Sequence, residues 1–221
     1  VKWVLLPVLQ RVGIEAAIEL VAWGWHPRGW GEAHVTIEGG ASLRGLTLAE
    51  RGDFVDLQGL AVASNLPSHI PQRIAGRANN LLRAAGLPPR VEPLRASGPS
   101  DGAGLLIAAA YENARAGFTG LGRPGKPSEE VAEEAVEPLI RFHRQTAALD
   151  RHLPDQLIPA LMLAQGPSLL STVEITQHTL TNIAIVQRFI ERPVDVEGAE
   201  GQPGYIRVAG PRPVRPPARR A

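Results

Sequence analysis

Helix-patterned and strand-patterned stretches alternate along almost the whole chain, and that alternation limits it to folds in which helices cover sheets. Val1, Val4, Leu5, Val8 and Val12 fall at helical spacing. Residues 15–21 and 34–38 then read as strands on either side of the turn Gly24-Trp25-His26-Pro27-Arg28-Gly29-Trp30-Gly31. A strand at 54–63, a helix at 69–85 and strands at 90–95 and 104–111 follow. The stretch 117–127, with four glycines and two prolines, is expected to be a loop. Ser128, Glu129 and Glu130 suit the start of a helix over about 129–146, because a hydroxyl caps free N–H groups and carboxylates favour the positive end of the helix dipole. Pro138 is expected to kink or break that helix.

Pro154 fits the first position of a further helix, with Asp155 and Gln156 in its first turn and Leu157, Ile158, Leu161 and Leu163 behind them. Residues 168–174 read as a strand. Leu180, Ile183, Ala184, Val186 and Ile190 then give a helix with one apolar side. His178 therefore lies at a strand-to-helix junction. Beyond Val208 the chain is basic and proline-rich, and residues 209–221 are expected to form a flexible, solvated tail.

Composition narrows the function classes. At 221 residues and 44% hydrophobic the chain can build a core, and a formal net charge of +1 supplies no global field for nucleic acid, so any RNA contact must be local. With no cysteine, disulfide scaffolds, thiolate nucleophiles and the common zinc spacings are all excluded. No apolar run approaches the roughly 20 residues of a membrane helix, and the start lacks a signal-peptide pattern, so a soluble, cytoplasmic protein without a membrane partner is expected. The chain opens on Val inside a helical pattern with no cap before it, and Met162 is its only methionine. An N-terminally truncated sequence is expected.

A neutral imidazole at a strand-to-helix junction can face a cleft and attack phosphorus. Taken alone, His178 among Thr and Gln reads as a hydrogen-bonded structural or surface residue rather than a nucleophile. Its neighbours carry more. The segment Thr176-Gln177-His178-Thr179-Leu180-Thr181-Asn182-Ile183-Ala184, followed by Val186 and Arg188-Phe189, resembles the C-terminal segment of the RNA 3'-terminal phosphate cyclase family. Upstream, Asp150-Arg151-His152-Leu153-Pro154-Asp155-Gln156-Leu157 is similar to that family's nucleotide-binding stretch. Weaker similarity covers 24–29, 50–52 and 111–113 and extends from Val1 to near Val208.

The resemblance implies an ATP-dependent RNA 3'-phosphate cyclase, a ligase-class enzyme of RNA processing or repair. His178 would accept AMP from ATP, AMP would pass to an RNA 3'-phosphate end, and the adjacent 2'-hydroxyl would close a 2',3'-cyclic phosphate. A divalent cation, Mg²⁺ or Mn²⁺, is implied with no ligand identifiable. His152, Leu153, Pro154, Asp155 and Gln156 are implied to contact the nucleotide. His152, commonly Tyr in the family, would stack on it, while Asp155 and Gln156 serve equally well as helix caps. Trp30 departs from a glycine-rich turn and reads as a partly buried packing residue or a base-stacking one. Arg28 suits a phosphate contact or a solvated loop.

The implied fold is α/β (α+β), with repeated β-α-β-α-β-β units forming a catalytic domain and a smaller α/β insert domain. Residues 1–42 and 124–208 would belong to the catalytic domain and 43–123 to the insert. Family members carry further N-terminal sequence with a Gly-rich segment, whose lack is expected to uncover apolar surface and leave the fragment inactive. A non-catalytic relative acting in ribosome assembly or RNA binding is the alternative, and His178 argues against it. An enolpyruvate-type transferase built from similar repeats would lack both motifs.

Overall fold

A computed structural model describes residues 1–211, with mixed α/β content consistent with the expected α+β class. The tail expected beyond 208 therefore lies almost entirely outside the described residues. The first helix, α1 (Leu5–Val12), buries Val8 and Val12 and ends at Gly13 in the left-handed region, φ 107°. An antiparallel hairpin follows, made of β1 (Ala16–Ala22) and β2 (Glu32–Ile37). It leaves Leu20, Val21, Val35 and Ile37 exposed. Trp30 in its turn is 81% exposed, so the expected partly buried packing role does not hold. The turn instead anchors through Trp25, whose indole N–H donates to Ser64 Oγ at 2.9 Å.

The central sheet has the order β5-β4-β6-β7, from β4 (Phe54–Ser64), β5 (Val91–Ala96), β6 (Gly102–Tyr111) and β7 (Arg115–Leu121). Alternate residues of β6, from Ala103 through Leu105, Ile107 and Ala109 to Tyr111, enter the core, as a period-two strand requires. Helices α2 (His69–Ala84) and α3 (Ser128–His143) pack on each other and on β6. The first buries Ile74, Ala78 and Leu82; the second buries Val131, Ala135, Leu139 and Phe142. Their exposed faces are linked by Arg73–Glu129 at 3.0 Å and Arg77–Glu133 at 2.6 Å.

Two local expectations fail here. The stretch from 117 was read as a loop from its glycines, yet Gly117 and Gly120 lie within β7. A side chain at Gly120 would run into the Val131 carbonyl of α3, so glycine marks a close approach of helix to strand rather than a turn. Of the kink or break expected at Pro138, the break does not occur, and α3 continues through that residue. Proline removes one backbone bond there, and the buried row on both sides of it holds the helix together.

A second four-stranded sheet has the order β3-β8-β10-β9, from β3 (Thr47–Leu48), β8 (Ser168–Thr172), β9 (Val194–Glu197) and β10 (Gly204–Val208). Strand β3 pairs parallel with β8, and β10 pairs antiparallel with β8 and β9. Helices α4 (Leu153–Leu163) and α5 (Gln177–Val186) pack against each other, and α4 also meets β8. None of the described helices is long and apolar enough to cross a membrane.

Candidate nucleotide and phosphoryl-transfer site

Helices α4 and α5 begin side by side because their lead-in segments are tied together. Leu149 bridges to Thr172 in parallel, with Leu149 N–H donating to the Ser171 carbonyl at 3.1 Å and Val173 N–H donating to the Leu149 carbonyl at 3.1 Å. The Thr172 hydroxyl reaches the Asp150 carbonyl at 3.2 Å. From this junction one segment turns into α4 and the other into α5. Arg151 and Glu174, one on each lead-in, form an ion pair at 3.1 Å.

The start of α5 is capped by Thr176, whose Oγ1 accepts from Thr179 N–H at 3.1 Å. His178 is exposed in the first turn. One turn further on, Asn182 donates through Nδ2 to the Asp155 carbonyl in the first turn of α4 at 2.6 Å. Residues four apart share a helix face, so the tether at Asn182 also brings the face that carries His178 to the start of α4. His178 and the 152–156 stretch thus border one surface.

Within that stretch the five residues differ in what they can offer. Leu153 is 2% exposed and Pro154 is buried, so both pack in the core and shape the turn rather than present side chains. His152 is exposed, with an open ring face. Gln156 is exposed and donates through Nε2 to the His152 carbonyl at 3.0 Å, which adds a second link across the first turn. Asp155 Oδ1 is buried without a hydrogen-bond partner among the described residues.

The cap of α4 is a residue to which the sequence reading assigned no role. Asp150 Oδ1 accepts from His152 N–H at 2.8 Å and Leu153 N–H at 3.0 Å, and its Oδ2 accepts from Gly117 N–H at 3.1 Å. Burial pushes its carboxyl above the ordinary aspartate range, against the pull of those three donors. Asp150 stands three residues before Leu153, and its carboxylate takes the N–H groups two and three residues on, as a capping side chain does. Asn182 carried no such signal, because its partner lies 27 residues away.

Two neighbouring helix starts bring the positive ends of their dipoles to this side of the molecule, with the His152 and Leu153 N–H groups taken by Asp150 and the Thr179 N–H by Thr176. The grooves lined by Pro167, Asp195 and Arg207 and by Trp3, Gly59 and Glu92 contain none of these residues. Among the described residues no cluster of three His, Asp or Glu could hold a metal ion. No residue is therefore assigned to a cation.

Residues 1–196 match the model of the family described as RNA 3'-terminal phosphate cyclase. Proteins named RNA 3'-terminal phosphate cyclase from Nostoc sp. and Methylococcus capsulatus are 46% identical over 200 residues and 44% identical over 211, covering 90% and 95% of this chain. A Pyrococcus furiosus protein of the same name is 32% identical over 200 residues, or 90% of the chain. In all three the chain spans 58% of the relative's length. Sequence matches of this extent, over the segments that build the α4–α5 surface, place the chain in the RNA 3'-terminal phosphate cyclase family.

Proposed function

We propose that the chain carries the nucleotide-binding and histidine-bearing part of an ATP-dependent RNA 3'-terminal phosphate cyclase. The observation that supports this most is the Asn182–Asp155 tether, which sets an exposed His178 beside the start of α4. In this reading His152 stacks on the adenine, while Asp155 and Gln156 bind the polar edges of the nucleotide, with Leu153 and Pro154 fixing the turn beneath them. A buried Asp155 Oδ1 in need of a donor suits a ribose hydroxyl or an exocyclic amine.

The chemistry follows a covalent route that divides one difficult displacement into easier steps. An imidazole nitrogen of His178 forms a bond to the α-phosphorus of ATP, and the bond to the bridging oxygen breaks as pyrophosphate leaves. An oxygen of an RNA 3'-phosphate then attacks the same phosphorus and frees the histidine, giving an RNA–AMP anhydride. The neighbouring 2'-hydroxyl attacks the phosphorus joined to the RNA 3'-oxygen and gives up its proton, the bond to the bridging oxygen breaks as AMP leaves, and the 2',3'-cyclic phosphate remains. Mg²⁺ or Mn²⁺ in this reading would offset the charge of the phosphates. The cytoplasm is the proposed location, with the ligase-class activity serving RNA processing or repair.

The test uses the full-length gene product incubated with ATP labelled at the α-phosphate and separated under denaturing conditions at neutral or alkaline pH. Label should remain on the wild-type protein and be released by acid, as expected of a phosphoramidate. His178→Ala should carry none. Acid-labile label on His178→Ala at the wild-type level would show that the nucleophile lies elsewhere.

A further inference from the structure

Asp150 does more than cap a helix. Capping α4 needs one oxygen, and Oδ1 serves it through His152 and Leu153. The second oxygen reaches 33 residues back to Gly117, on β7. Strand β7 is the edge of the central sheet, with β6 on one side, so the Gly117 N–H that points to Asp150 points away from the sheet. One side chain, 4% exposed, thus satisfies three backbone donors in two separate elements. Its carbonyl is held in turn by the Thr172 hydroxyl on the α5 side of the site.

We propose that Asp150 is a positioning residue that registers the 152–156 turn against β7, so that the central sheet helps to set the affinity of the α4–α5 surface for ATP. This rests on the nucleotide-binding role given to that turn above. The physical reason is geometric. The donors meet a fixed carboxylate, so a shift of β7 along its edge moves the backbone of residues 152 and 153 with it. Asp150 is the direct hydrogen-bonded link between the turn and that edge, beside the packing of α1 on both α4 and β7.

Two variants and one wild-type measurement test the idea in the full-length gene product. Asp150→Asn keeps the shape but turns an N–H toward at least one of the three donors. Asp150→Ser keeps a short hydroxyl for the helix cap and is too short to reach Gly117. Losing charge-assisted bonds at the turn should raise the Kd for ATP roughly tenfold in Asp150→Asn. Asp150→Ser should follow in the same direction, and the KM for an RNA 3'-phosphate end should stay unchanged in both. A purely structural role would instead lower kcat with the active fraction and leave both constants in place.

The wild-type measurement needs no variant to fold. Adding α,β-methylene ATP should slow amide hydrogen exchange in peptides over 115–121 as well as over 152–163. Protection confined to 152–163, or an ATP Kd unaltered in folded Asp150 variants, overturns the inference and leaves the proposed function standing. A wild-type protein that binds no ATP overturns both.

Discussion

From Phe54 to His143 the buried side chains are nearly all hydrocarbon, with Ser64 and Ser100 as the polar exceptions, whereas from Asp150 to Arg192 seven buried groups are polar or charged. These are Asp150, Ser168, Ser171, Thr172, Thr176, Thr179 and Arg192. The first region is two amphipathic helices on a sheet, and non-directional apolar burial suffices to assemble it. In the second, short strands and two helix starts must meet at set positions, and directional bonds do that work. Ser171 Oγ bridges the Ala148 N–H and the Ala49 carbonyl, and Thr172 and Thr176 hold the two helix lead-ins. The contrast matches the division of labour proposed above: a packed scaffold beside a surface whose geometry must be held.

The sharpest way to break the comparison is at Arg192. Its guanidinium is part of a residue only 6% exposed and donates to the carbonyls of Leu161 and Met162 at 2.9 and 2.8 Å, to Gly166 at 3.2 Å and to Ala209 at 2.5 Å. It gathers the C-terminal end of α4, the turn after it and the end of β10 with no carboxylate partner among the described residues. Arg192→Leu removes the donor from four carbonyls, two of the bonds being fully buried, and should cost about 3–5 kcal/mol, read as a shift of the urea midpoint. Arg192→Lys should recover little, because an ammonium cannot reach four carbonyls spread across the plane of a guanidinium. A midpoint unchanged in both variants would show that the second region is held by packing after all.

The matching change in the first region is smaller. Ile107 is fully buried in β6, among Leu57, Ala61 and Leu105 in the same core. Ile107→Ala should cost about 2–4 kcal/mol by lost burial and the cavity left behind. Ile107→Val should cost about 1 kcal/mol. That graded response is the mark of apolar packing, and a loss as large for Val as for Ala would mean that shape at this site matters more than area.

The same contrast explains what the sequence made legible. Strand β4 and helix α2 were read to within a residue of their ends, because period-two and period-3.6 patterns report apolar burial directly. Strand β7 was lost because its glycines serve a close approach to α3, a tertiary fact with no local pattern. Strands β9 and β10 are four and five residues long and punctuated by Gly198, Gly201 and Gly204, too short for a periodic signal. At the candidate site, His178 and the 152–156 turn are proposed on two motifs that resemble a family, not on their chemistry alone. Asn182, Arg192 and the Gly117 half of Asp150 were not found, since each acts through a bond to a backbone group 17 or more residues away.

The smallest effect tests where the first region makes its own exception. At the C-terminal end of α3, His143 Nδ1 meets the Tyr111 hydroxyl at 3.1 Å, with the Phe54 ring edge-on at 5.5 Å and the Arg51 guanidinium against the Tyr111 ring at 4.5 Å. Burial, and then the Arg51 charge, hold His143 below its ordinary value of 6.5, while burial pushes Tyr111 up to about 12. The unfolded chain therefore binds a proton that the folded one resists. Its contribution is present above the ordinary imidazole value and is lost as pH falls through that value toward the folded pKa. Asp150 has the opposite sign, because a carboxyl raised by burial makes stability fall as pH rises past the ordinary aspartate range. His143→Gln keeps a partner for the Tyr111 hydroxyl and removes the titration. Denaturant midpoints taken between about pH 7 and 5 should decline less steeply in this variant than in the wild type. Equal slopes would mean that the acid sensitivity of the chain resides elsewhere, and that the hydrocarbon region has no polar weak point at the end of α3.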